Sequence, residues 1–223
     1  MVRTVFACAC FTLGLASNSS AQGSYRYEFD MVVSSNALID MGISSRFDEL
    51  VVGTPGRLSF EVEESPFDIP GFSADNQDFY SILNVQFSVG SVATSGAPGQ
   101  YPSTQPFPSL LVADDVLISH PSGIYADQFS TFISLEAADI AAVQLLLSKN
   151  APMGFTDLWS DTALPTADML ANATHQSFLF QTTYDLSARI NFDFTAISRS
   201  YIPAPSVAFA MGIAGFVATK RRR

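Results

Sequence analysis

Period-two alternation runs through the middle of this chain and limits its fold more than any other feature. From Ser24 to Val33, Tyr25, Tyr27, Phe29, Met31 and Val33 share one face of an extended strand, while Ser24, Arg26, Glu28 and Asp30 share the other. Leu58, Phe60 and Val62 alternate in the same way with Arg57, Ser59, Glu61 and Glu63. Leu83, Val85, Phe87 and Val89 alternate with Asn84, Gln86 and Ser88. Phe178, Phe180 and Tyr184, then Ile190, Phe192 and Phe194, repeat the pattern, and apolar runs at 110–118 and 129–135 add further strands. Seven or so short strands, each with one wettable face, favour antiparallel pairing over a parallel sheet buried on both sides. The expected fold is all-β, mainly an antiparallel β-sandwich of jelly-roll type, with one short helix across an open end.

That helix is expected after Ser134. Glu136 and Asp139 would lie in its first turns, Ile140, Val143 and Leu147 keep helical spacing, and Lys149-Asn150 before Pro152 would close it. The stretch Thr94–Ser109, with Pro98, Pro102, Pro106 and Pro108, reads as a surface loop rather than a domain boundary, because proline cannot donate to a ladder and too few strands lie on either side for two cores.

The two ends are different material. Residues 1–21 run from a basic start at Arg3 through an apolar stretch, Val5 to Ala16, to the small residues Ser19, Ser20 and Ala21, the order of a secretory signal peptide cut by signal peptidase after Ala21. Cys8 and Cys10, the chain's two cysteines, fall inside it, so the mature protein would have neither disulfide nor thiolate chemistry. At the other end, Val207–Ala218 is wholly apolar or glycine and is followed by Lys220, Arg221, Arg222 and Arg223. Twelve to fourteen helical residues reach about 18–21 Å at 1.5 Å each, so a transmembrane helix would begin near Tyr201 and snorkel its basic end. The expected organisation is a signal peptide (1–21), a β-sandwich ectodomain (22–200) and a C-terminal anchor (201–223).

Net charge follows the same division. Five of the eleven lysines and arginines lie in the end segments, leaving six against twenty-one acids, or −15, for residues 22–201. A nucleic-acid partner is not expected, since that affinity needs a basic face.

Little in the middle selects a reaction. His120 and His175 stand far apart with no ligand-spaced neighbour, and no Gly-x-Ser-x-Gly elbow or phosphate loop is present. Glu61 and Glu63 would sit about 6–7 Å apart on one strand face, a separation that overlaps glycosidase acid pairs, but on a solvated face neither would be raised enough to act as an acid. No catalytic residue and no obligatory cofactor is expected. Calcium is the one metal that the acidic loops suit, with Asp75, Asp78, Asp114 and Asp115 as oxygen donors. Trp159, flanked by Asp157 and Asp161, is the candidate for stacking on a glycan ring, against the plainer role of anchoring a loop.

The C-terminal segment resembles the PEP-CTERM sorting signal of exported bacterial proteins. Ile202-Pro203-Ala204-Pro205 supplies a Pro-x-Pro motif, Val207–Ala218 the membrane stretch and Lys220–Arg223 the Arg-rich end, with Ala204 where the usual motif has Glu. The resemblance covers about residues 201–223. It implies an exosortase-like processing enzyme as partner, cleavage near Ile202–Ser206, and delivery from the membrane to the cell surface or extracellular matrix. The function expected is an exported, non-enzymatic protein of structural or interaction type, with an exopolysaccharide-binding module as the alternative and a secreted hydrolase as a third class.

Overall fold

The alternating segments become strands whose apolar faces all turn to one interior. The computed structural model describes residues 23–67, 76–96, 109–119, 124–133, 139–152, 158–184 and 188–204. In chain order these form β1 (Ser24–Asn36), α1 (Ala37–Asp40), β2 (Pro55–Glu63), β3 (Gln77–Val89), β4 (Val92–Gly96), β5 (Ser109–Ser119), β6 (Ile124–Ile133), β7 (Ile140–Pro152), α2 (Ala167–Ala171), β8 (His175–Thr182) and β9 (Arg189–Ile202). The strands make one antiparallel sheet in the order β2-β1-β9-β8-β7-β6-β5-β3-β4, and β2 also pairs with β3. That extra pairing joins the sheet to itself. Eight strands close into a ring, and β4 hangs on β3 as a hairpin.

Around the ring every strand lies beside its neighbours in the sequence, the hairpin strand β4 aside, and β9 returns to β1. This is the connectivity of an up-and-down barrel, not the jelly roll expected, whose Greek-key crossings place sequence-distant strands side by side. Alternation specifies which face of a strand is buried but not which strand lies beside it. An eight-stranded ring is just wide enough for side chains to fill, and here opposite walls meet. The Phe87 ring of β3 lies 5.8 Å from Phe178 and Phe180 and 6.2 Å from Phe192, while Tyr27 of β1 lies 5.3 Å from Phe129 of β6. The outward positions of β1 and β2 carry Arg26, Glu28, Asp30, Arg57 and Ser59, the reverse of the apolar outer band that a membrane barrel turns to lipid.

Two connections plug the ends. After β1, Asn36 caps α1 by accepting from the Leu38 N–H at 3.1 Å, and its amide donates to the carbonyls of Phe47 and Leu50 at 3.0 and 3.1 Å. Leu38, Phe47 and Leu50 are thereby folded under the ring and fully buried. Before β8, the segment 158–173 contributes Trp159, Leu164 and Leu170. It is tied down by Tyr27 Oη donating to the Pro165 carbonyl and Tyr80 Oη to the Thr162 carbonyl, each at 2.8 Å.

The helix expected over 134–150 is not formed where the structure describes that stretch. Residues 140–152 are strand β7, paired with β6 from Ile133↔Val143 to Ile124↔Pro152 and with β8 from Ile140↔Thr182 to Ser148↔His175. Its apolar residues fit either period: Val143, Leu145 and Leu147 are buried, and Gln144 and Leu146 are less so. Ladders on both edges decide the choice, as tertiary context overrides local preference. Among the described residues two helices form, each a single short turn in a plugging connection. Thr94–Gly96 closes β4, and all four prolines of the expected loop lie outside the described residues.

Candidate functional site

The alternation breaks most visibly at Asp114-Asp115. Ala113 of β5 pairs with Gln128 and Val116 pairs with Ala126, so two β5 residues face Asp127 alone. This is a β-bulge, which re-aims side chains. Asp115 takes φ 50°, a left-handed conformation that Asp tolerates better than most residues. The result brings carboxylate oxygens of Asp114, Asp115 and Asp127 within 4.8 Å of one another. Asp127 is fully buried; its Oδ1 accepts from the Asp115 N–H at 3.1 Å and its Oδ2 from the Leu158 N–H at 2.7 Å. Asn76 braces the bulge, accepting from the Asp114 N–H at 3.0 Å and donating its amide to the Asp115 carbonyl at 3.2 Å.

Burial pushes the Asp114 carboxyl up to about 6, with the negative charges of Asp127 and Asp115 adding to the rise. Such a cluster discharges itself by taking a proton or a hard divalent cation, and its oxygen donors are the kind calcium takes. Of the calcium donors expected from the sequence, Asp114 and Asp115 come together. Asp78 lies on β3, where the Thr162 hydroxyl donates to it, outside the cluster, and Asp75 lies outside the described residues. Asp127 is the member that sequence reasoning missed.

Trp159 is not a stacking platform. It is 4% exposed, and its indole N–H donates to the Ala113 carbonyl at 2.8 Å. A sugar ring needs a free aromatic face, and this one is spent on the end plug. His175 opens β8 and is exposed, while His120 lies outside the described residues.

Glu61 also departs from its expected setting. Rather than standing in solvent, its side chain is 11% exposed. Arg26, its direct cross-strand partner, donates to Oε1 at 2.5 Å, and the Asn84 amide donates to Oε2 at 2.6 Å. Burial alone would raise this carboxyl, but the hydrogen bonds from Arg26 and Asn84 outweigh it and hold the group below its ordinary value. Asn84 reaches Glu61 from a second bulge, where Ser59 pairs with Gln86 and Glu61 with Leu83, and it too is left-handed, at φ 47°. The two non-glycine residues with positive φ among the described residues are thus both at bulges, and each serves a carboxylate.

Glu61 forms one wall of an open groove on the outer face of β2, β3 and β4. Two adjoining cavities of about 340 and 260 Å³ share Ser59, Gln86 and Ser95, which are successive partners across the three strands and form the floor. The opposite wall is Arg57, which donates to Asp30 at 2.6 Å.

Of the sorting residues, Ile202 ends β9 and Pro203 and Ala204 follow it without regular structure. Ala21, Pro205 and Lys220–Arg223 lie outside the described residues. Among the described residues no helix is long and apolar enough to cross a membrane, and the expected span at 207–218 falls outside them. Comparison of the chain with protein families, with curated proteins and with solved structures returned no match.

Proposed function

We propose that the protein is an exported, non-enzymatic surface or matrix protein of structural or interaction type. In this reading signal peptidase removes residues 1–21. The Pro203-Ala204-Pro205 segment with its basic end then passes the domain to an exosortase-like enzyme, which leaves it anchored or frees it to the cell surface. The observation that supports the reading is where the two ends of the compact unit lie. The compact unit runs Gly23–Ala204, β9 ends at Ile202, and Ser24 and Ile202 are paired residues, so the domain begins and ends on adjacent strands beside the two expected cleavage points.

Mass spectrometry of the native protein tests the processing. The expected species starts at Gln22 and lacks Arg223; an intact Arg223 on fully mature surface protein overturns the sorting claim. The second reading, a module that binds exopolysaccharide, is favoured by the polar groove on β2, β3 and β4, now that Trp159 is accounted for as a buried anchor.

A further inference from the structure

We propose that the outer groove over β2, β3 and β4 binds a neutral oligosaccharide chain laid across the strands. This inference deepens the second reading and is independent of how the chain is sorted. The floor row is polar: Ser59 and Ser95 flank Gln86, and the register continues it onto β1 and β9 through Glu28 and Ser198. Two ion pairs between β1 and β2 border the row, Arg57 with Asp30 on one side and Arg26 with Glu61 on the other. Ladder geometry sets successive strands about 4.8 Å apart, so the groove offers a polar group at regular intervals along its length.

The chemistry of the lining selects the ligand. The apolar residues beneath it, Val85 and Phe87, are buried and point into the core, so a peptide would find no pocket for apolar anchors. Both arginines are neutralised by partners within the walls, and residues 22–201 carry −15, so a polyanion meets net repulsion. What remains are hydroxyls and amides: Ser59, Gln86 and Ser88 engage no other side chain among the described residues and are at least partly exposed. The bulge that places Asn84 at positive φ belongs to the Glu61 wall, and such local strain concentrates where a side chain must be aimed.

The test is isothermal titration of the full chain, in a detergent without a sugar headgroup, with cellohexaose and maltohexaose. Polygalacturonate and a pool of polar peptides serve as competitors of other classes. At least one neutral hexasaccharide is expected to bind; Gln86→Ala, an exposed change, should weaken it about tenfold, the effect of one hydrogen bond. Ser59→Phe, which fills the floor, should abolish binding with the melting temperature kept; if that variant does not fold, Gln86→Ala decides alone. The proposal is overturned if neither sugar titrates, if binding survives the substitutions, or if polygalacturonate or the peptides bind as tightly.

Discussion

Replacing Asp114 by Asn should stabilise the protein at neutral pH and do nothing in acid. In the folded state the Asp114 carboxyl sits at about 6 rather than 3.8, because it is partly buried and faces Asp127 and Asp115. Between about pH 4 and 6 the native state therefore holds this proton more tightly than the unfolded chain does. Stability from this group falls as pH rises through that window and stays low above it. Two pKa units correspond at face value to a little under 3 kcal/mol. The carboxyl keeps considerable solvent contact, which screens the repulsion to about 1 kcal/mol. For a domain of this size that is about 2–4 °C in melting temperature. The assay is thermal unfolding by circular dichroism from pH 4 to 8 with EDTA, reported as variant minus wild type so that Glu61 and other carboxylates cancel. The expected difference is near zero at pH 4 and reaches its full value by pH 7.5. A destabilisation of equal size at both pH values would refute the reasoning, because it would mean the carboxylate is a structural acceptor and not a source of repulsion. Added calcium sharpens the test: a cation at the three aspartates would raise the wild-type melting temperature and erase the advantage of the variant.

Two further outcomes follow from the end plug. Trp159→Ala should cost about 3–5 kcal/mol, the range for emptying a large buried aromatic site, and Trp159→Phe, which also orphans the Ala113 carbonyl, a smaller loss; chemical denaturation measures both. Tyr27→Phe removes the hydrogen bond to Pro165 while leaving the ring in place, and should lower stability by about 1 kcal/mol.

Strand faces were legible in the sequence because burial imposes period two whatever the neighbours are. Tyr27, Phe29 and Phe180 were assigned inward, and inward they are. The neighbours themselves were not legible. Ring closure depends on β2 meeting β3 and β9 meeting β1, pairings set by the packing of the whole interior. Leu145-Leu146-Leu147 could satisfy a helix or a strand, and only the ladders to β6 and β8 decide it. At the acidic cluster the pair Asp114-Asp115 was visible as an interruption in an apolar run. Asp127 was not, since nothing local announces that a lone aspartate on another strand stands opposite a bulge. Trp159 was open to both a stacking and an anchoring role; the anchoring one holds, with the indole turned inward to donate to the Ala113 carbonyl.

The pairing of Ser24 with Ile202 also governs when folding can finish. The first strand must wait for the last, so the barrel cannot close until nearly the entire chain has been delivered, and contacts this distant in sequence are slow to form. Until β9 docks, β1 and β8 each present an open edge able to recruit another chain. Under the export route proposed above, translocation in an unfolded state suits this topology, because closure is deferred by the order of the strands themselves.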